Sequence, residues 1–187
     1  MQLTRRNDLW KLLPTYPLSA VQHYHGVAVE VGVAEGDFSF NLLDHWYGIC
    51  HMVDPWEQQV TPGYCLHGEA DQEARYQRVL KTCRTYLSRA RPLRMTSIEA
   101  VKRFDDGSLD MCYIDAIHTY ESCKQDIALW YPKVKRGGIL AGHDYLEGVH
   151  GNQEFGVKRA VDEFASANGL AVNVIPEEWP SWWVVKR

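Results

Sequence analysis

The sequence predicts an α/β fold: a single Rossmann-like doubly wound sheet, mostly parallel, with an antiparallel C-terminal strand. Short apolar runs alternate with helix-period segments along the chain, as repeated strand-helix units require. Several of these runs are almost uninterrupted in their hydrophobicity, the mark of strands covered on both faces. The first run, at 27–31, leads straight into the glycine-hinged acidic turn Gly32-Val-Ala-Glu-Gly36, the kind of junction at which such sheets hold ligands.

Taken in order, strands are expected at 27–31, 48–53, 93–96, 111–114 and 139–142. Helices are expected between them at 38–46, 71–90, 120–135 and 155–168. The third helix is expected to stop at Gly137-Gly138, since paired glycines end helices and open turns. Segments 171–175 and 182–185, separated by Pro176 and Pro180, read as a turn-linked pair that finishes the sheet antiparallel. Segment 54–68 carries Pro55, Pro62, Gly63 and Gly68 and reads as a loop near the site.

A chain of 187 residues, 45% apolar and 24% charged, suits one globular domain. Residues 26–187 are taken as that domain and residues 1–25 as an N-terminal extension or cap. The net charge of −4 argues against a nucleic-acid partner, which usually demands a basic excess. The basic middle of the chain, from Arg84 to Arg103, reads as a solvated helix face. The five cysteines are odd in number and lack a Cys-x-x-Cys pair, which suits reduced thiols. With no long apolar run, neither a leader nor a membrane span is expected, and the setting is expected to be cytoplasmic. Oligomeric state is left open.

The turn after the first strand departs from the dinucleotide fingerprint, which needs glycine at its first, third and sixth positions. Here those positions are Gly32, Ala34 and Asp37. The acids Glu30, Glu35 and Asp37 would repel a diphosphate but suit a cofactor bearing an ammonium and a sulfonium. Asp54 ends the next strand about 20 residues beyond Gly32, the separation at which an acid meets ribose hydroxyls. Trp56 is a candidate cover for an adenine and Ser97 a candidate contact to its edge. A ligand-free turn would also use Gly32 and Gly36, and a helix cap would use Asp54. The combination favours a cofactor.

Two later strand ends concentrate chemistry. Asp115 follows the fourth strand with His118 three residues on, and His143-Asp144-Tyr145 follows the fifth. If the strands are neighbours, two carboxylates and imidazoles converge on one edge of the sheet. That donor set suits a divalent metal such as magnesium, calcium or manganese. Each group taken singly also has a plain structural use: Asp115 as a helix cap, His118 as a surface imidazole, His143-Asp144 as a turn. Two further features are open in the same way. His23 and His25 are a lid or simply structural, and Trp179, Trp182 and Trp183 are a platform for a sugar ring or simply core.

The pattern Glu30-x-Gly32-x-x-x-Gly36 resembles motif I of the class I S-adenosylmethionine (SAM) methyltransferases. The runs Ile-Asp115-Ala-Ile-His118-Thr-Tyr and Arg-Gly-Gly-Ile-Leu-Ala-Gly-His143-Asp144-Tyr are similar to the small metal-dependent O-methyltransferases of the methyltransferase-24 type and to catechol O-methyltransferase. The resemblance covers about residues 27–169. It implies a SAM site that includes Glu30, Gly32, Gly36, Asp54, Trp56, Ser97 and Asp115. It also implies a Mg2+ or Mn2+ site of Asp115, His143 and Asp144, and His118 as general base where the catechol enzyme has lysine. An alcohol becomes a good nucleophile only on losing its proton, which a base of pKa about 6.5 accepts near neutral pH.

The expected function is therefore O-methylation of a hydroxyl on a small molecule or glycan, a sugar first and a phenol second. The rivals are a metal-dependent hydrolase or oxygenase on the same fold, and a non-catalytic SAM-binding subunit.

Overall fold

The computed structural model describes residues 3–15, 26–58, 60–61, 64–65, 69–151 and 153–187. His23 and His25 lie outside the described residues. The chain runs through β1 (Val27–Val31), α1 (Asp37–His45), β2 (Ile49–Asp54), β3 (Val60–Thr61), β4 (Tyr64–Cys65), α2 (Glu69–Cys83), β5 (Ala90–Arg94) and a short α3 (Ser97–Ala100). It continues through β6 (Leu109–Ile114), α4 (Tyr120–Trp130), β7 (Val134–Gly142), β8 (Gly148–His150), β9 (Gln153–Phe155), α5 (Val157–Asn168), β10 (Asn173–Ile175) and β11 (Ser181–Val185).

Seven strands form one sheet in the order β10-β11-β7-β6-β1-β2-β5. The pairs from β7 to β5 are parallel, whereas β11 is antiparallel to both β7 and β10. The expected α/β class and the antiparallel finish are both present. After β1 the chain builds outward to β2 and β5, then returns to lay β6 on the other side of β1. That reversal makes the crevice between the ends of β1 and β6 the ligand position of the fold.

The period-2 alternation of the central strands explains the layering. Ala28, Cys50, Met52, Met111 and Tyr113 face one layer, where they pack with Phe38 and Leu42 of α1 and with Leu9. Val29, Val31, Val53, Cys112 and Leu140 face the other, against Ile127 and Trp130 of α4 and Val161 of α5. Side chains of this size contribute about 1.5–3 kcal/mol each on full burial. Leu9 belongs to a 3-10 segment, Arg6–Leu12, that precedes the domain predicted from sequence. It is fully buried, so this N-terminal segment is part of the core.

Several boundaries differ from expectation. Strand β5 covers 90–94 rather than 93–96 and includes Pro92, which is tolerated because β5 is an edge strand. The helix expected to reach residue 90 ends at Cys83, followed by a 3-10 turn and by Leu87 at φ 55°. Helix α4 ends at Trp130, ahead of a 3-10 turn that contains Pro132. Gly137-Gly138 is not a helix stop. It lies inside β7, where Gly137 takes φ 78° and the pairing with β6 shifts register, as at a bulge. Phe155 closes the β8–β9 hairpin rather than opening α5. Among the described residues, no helix is long and apolar enough to cross a membrane.

Candidate functional site

Three backbone hydrogen bonds lace the strand ends together. Gly32 N donates to Val53 O (2.9 Å), Asp115 N to Val31 O (2.7 Å) and His143 N to Ile114 O (3.1 Å). Loop residues after β1, β2, β6 and β7 are thereby brought to one edge. Gly32 is required here twice over. Its φ is 86°, and a Cβ at this position would lie 2.0 Å from the carbonyl oxygen of Asp115.

The glycine turn is held from below by Asp54. Its Oδ2 accepts from the backbone N–H of Val33 (2.9 Å) and Ala34 (3.0 Å), and its Oδ1 from that of Trp56 (2.6 Å). The Trp56 indole donates to Ala34 O at 2.9 Å. Trp56 is 1% exposed, so it supports the turn from within the core instead of covering the cavity. Gly36, at φ 86°, starts α1, and a Cβ there would meet Phe40 and Met52.

Glu30 is buried beneath the turn and accepts from the backbone N–H of Ser39 (3.1 Å) and from its hydroxyl. Burial pushes its carboxyl well above the usual carboxylate range, against the lowering effect of Ser39.

A cavity of about 490 Å³ opens above these strand ends, with Gly32, Asp54, Ser97, Asp115, His118 and Asp126 in its wall. Ser97 is reached as expected, but its hydroxyl is already engaged: it accepts from Trp130 Nε1 (2.9 Å) and donates to Asp126. Burial raises the Asp126 carboxyl to about 6, with the Ser97 hydrogen bond pulling the other way.

At the edge nearer β7, His118 Nε2 lies 2.9 Å from Asp144 Oδ2 and 3.9 Å from Asp115 Oδ1. His143 Nδ1 lies 3.1 Å from Asp144 Oδ1 and 3.8 Å from Asp115 Oδ1. Ligand atoms of Asp115, His118 and Asp144 fall within 4.8 Å of one another. Two carboxylates and an imidazole this close form a donor set that fits a divalent cation. His143 flanks that trio.

Burial raises Asp144, but hydrogen bonds and charge from His118 and His143 outweigh it and hold the carboxyl below the usual range. Burial dominates at Asp115, whose carboxyl is raised despite His143 and His118. For His143, burial lowers the pKa, while the hydrogen bond to Asp144 and the charge of Asp115 outweigh it and raise it. Asp144 also sits at φ 51°, a conformation that costs a non-glycine residue of order 1–3 kcal/mol and clusters at functional positions.

The His118 ring stacks on Phe155 with centroids 4.9 Å apart at 10°. Phe155 in turn leans on Trp179, with centroids at 5.7 Å. Of the tryptophans considered as a platform, Trp182 is buried and Trp183 half-buried, whereas Trp179 is 40% exposed.

Among the wall residues that sequence reasoning missed are Asp126 and Arg6. A signal for Asp126 existed: Cys123, Ile127 and Trp130 mark the buried face of α4, and Asp126 places a carboxylate among them. No local signal marks Arg6, because the docking of the N-terminal segment brings it to the site.

A family model described as a methyltransferase domain matches residues 29–145, which include every residue of the donor set and the glycine turn. The chain belongs to that family. This methyltransferase domain is 32% identical over 117 residues to an uncharacterised protein, y4gI, of Sinorhizobium fredii (strain NBRC 101917 / NGR234). The match takes in 63% of this chain and 12% of the much longer relative.

Among experimental structures, the methyltransferase domain is similar to a candidate caffeoyl-CoA O-methyltransferase of Staphylococcus aureus. The TM-score is 0.63 at 14% identity, over 95% of this chain and 88% of that one. It is also similar to the 1,6-didemethyltoxoflavin-N1-methyltransferase of Burkholderia thailandensis, which was crystallised with 1,6-didemethyltoxoflavin and S-adenosylhomocysteine. There the TM-score is 0.57 at 11% identity, over 90% and 74% of the two chains. The fold is thus that of the SAM-dependent methyltransferase superfamily.

Proposed function

We propose that this domain transfers a methyl group from SAM to a hydroxyl of a small molecule or glycan, with a sugar hydroxyl favoured over a phenol. The observation that carries the reading is a single cavity with the glycine turn in one wall and His118, paired with Asp144, in another. A donor seated on the turn and a hydroxyl at His118 then face each other across the Gly32–Asp115 contact.

In this reading Gly32 gives the close backbone approach that a cofactor needs, and Asp54 fixes the turn and offers its carboxylate to the ribose. Ser97 and Asp126 meet the adenine edge. Bound there, SAM supplies a methyl group on a sulfonium, whose positive charge suits the acidic wall. The acceptor oxygen forms the new bond to the methyl carbon as the carbon–sulfur bond breaks, and S-adenosylhomocysteine leaves. His118 takes the hydroxyl proton, and Asp144, held ionised and 2.9 Å from Nε2, stabilises the imidazolium that results.

Asp115 and Asp144, flanked by His118 and His143, would hold Mg2+ or Mn2+, which supplies charge that stabilises the alkoxide. A sugar ring finds an aromatic face in Trp179, beside the Phe155–His118 stack. Four described cysteines are buried free thiols, which supports a reducing, cytoplasmic setting.

Calorimetry with SAM, followed by transfer of labelled methyl to a panel of glycans and phenols with and without chelator, tests the reading. His118→Ala is expected to depress turnover by 10²-fold or more, on the order of what a positioned base contributes, with SAM affinity within about twofold. Unchanged turnover rejects the role of His118. No binding at millimolar SAM leaves the hydrolase or oxygenase, and binding without any labelled product leaves the non-catalytic subunit.

A further inference from the structure

The charged lining of the cavity is lopsided. Among the described residues it comprises seven carboxylates and two guanidiniums, Arg6 and Arg75. Arg75 is spent on Glu35, at 3.7 Å, which also takes Arg78 at 2.9 Å. Arg6 is differently placed. Its side chain is 27% exposed and enters from the N-terminal 3-10 segment, and Nη1 stands 3.4 Å from Asp115 Oδ2 at the crevice between β1 and β6.

The Arg6 backbone N–H donates to the side chain of Glu177, in the turn between β10 and β11, so both ends of the chain hold the residue in position. The Asp115 contact is long for a charge-assisted hydrogen bond, and the guanidinium, which also meets the Tyr113 hydroxyl, has five N–H donors, more than these two neighbours use.

The cavity crosses the strand ends from one layer to the other. Ser97 and Asp126 lie on the side of α3 and α4, Asp54 and Gly32 in the middle, and Phe38, Glu30 and Arg6 on the side of α1. A molecule with adenine at the first end and ribose at Asp54 must place its amino-acid arm at the third. That arm carries an ammonium, for which acids abound, and a carboxylate, for which a planar guanidinium is the matching partner.

We propose that Arg6 anchors the α-carboxylate of the cofactor's methionyl arm, exchanging Asp115 for it when the cofactor binds. The proposal rests on the SAM reading given above. It makes the N-terminal segment part of the cofactor site, and it releases Asp115 Oδ2 at the moment the donor arrives.

The test compares two probes that differ in the arm. S-adenosylhomocysteine carries the carboxylate, and 5′-methylthioadenosine lacks the amino-acid group altogether. By calorimetry, Arg6→Gln is expected to weaken S-adenosylhomocysteine by about 10- to 100-fold, the range of a charged hydrogen-bonding pair, and to leave methylthioadenosine within about twofold. Arg6→Lys, with a point charge and no fork, is expected to fall between. Methylthioadenosine binding also reports that the variant is folded. Wild-type protein with the decarboxylated cofactor analogue gives the same comparison without a substitution, and its affinity is expected to drop by a similar factor.

Equal weakening of both probes, or no weakening of either, overturns the assignment. So does an unchanged S-adenosylhomocysteine affinity with a raised KM for an acidic acceptor, which would make Arg6 an acceptor contact. Failure of wild-type protein to bind either probe is a distinct result: it removes the SAM reading and this proposal with it.

Discussion

Gly32→Ala tests the joint on which both halves of the site depend. The residue lies at φ 86°, and the added Cβ would stand 2.0 Å from the Asp115 carbonyl oxygen and 2.5 Å from its carbon. Two costs combine. A left-handed backbone costs a non-glycine residue about 1–2 kcal/mol, and overpacking against atoms that cannot swing aside adds about 1–3 kcal/mol. A destabilisation of about 2–5 kcal/mol is therefore expected, a large part of the roughly 5–15 kcal/mol that holds a typical domain folded.

Gly107→Ala is the matched control. Gly107 sits at φ 66°, but its Cβ would meet nothing within 4 Å, so only the backbone penalty applies. Urea unfolding of wild type and both variants separates the terms, and the excess of Gly32→Ala over Gly107→Ala measures the contact between the β1 turn and Asp115. Relief of the overlap must push the ends of β1 and β6 apart, so affinity for S-adenosylhomocysteine is expected to fall in Gly32→Ala and to hold in Gly107→Ala. Equal destabilisation of the two variants would refute the reasoning.

Two further outcomes follow from groups in the cavity wall. Asp126 has a folded-state pKa raised from 3.8 to about 6, so its neutral form favours folding; that contribution is complete below pH 4 and lost as pH rises through 6. The stability of wild type relative to Asp126→Asn is expected to fall by about 2 kcal/mol between pH 4 and pH 7.5, and a flat difference across denaturant melts would remove the burial argument. Asp54→Ala strips three backbone N–H groups of the β1 turn and of Trp56 of their acceptor. It is expected to cost about 1–3 kcal/mol and to weaken S-adenosylhomocysteine more than tenfold, whereas full retention of both by calorimetry and urea unfolding would mean that the carboxylate does not clamp the turn.

The legible part of the fold was the part set by local pattern. Strands buried on both faces announce themselves as apolar runs, so β1, β2, β6 and the end of β7 were expected to within a few residues. Boundaries failed where tertiary position overrides propensity. Pro92 argues against a strand in isolation, yet an edge strand has a side that needs no donor. Gly137-Gly138 reads as a stop, yet a bulge uses the same conformational freedom within a strand. The hairpin β8–β9 leaves no mark in the sequence because its strands are three residues each, too short to carry a period.

Within the site, residues at strand ends were legible because the topology of a doubly wound sheet delivers strand ends to one edge whatever the loops do. Glu30, Gly32, Asp54, Asp115, His118, His143 and Asp144 all fall under that rule. What it does not give is which way each side chain is spent: Asp54 serves the turn, Trp56 the core, and Ser97 a buried carboxylate. Arg6 lies beyond the rule altogether, since its position depends on a segment packed through Leu9 and tied to Glu177, 171 residues away.

Asp115 is where these pieces meet. Its carbonyl closes on Gly32, its Oδ2 faces Arg6 and its Oδ1 faces the two histidines. A carboxylate shared in this way cannot serve all its neighbours at full strength. Drawing Arg6 toward a cofactor carboxylate removes a competing positive charge from Asp115, and the carboxylate becomes a stronger partner for the histidines or for a cation beside them. Under the proposed exchange, donor binding and acceptor activation are coupled through one residue.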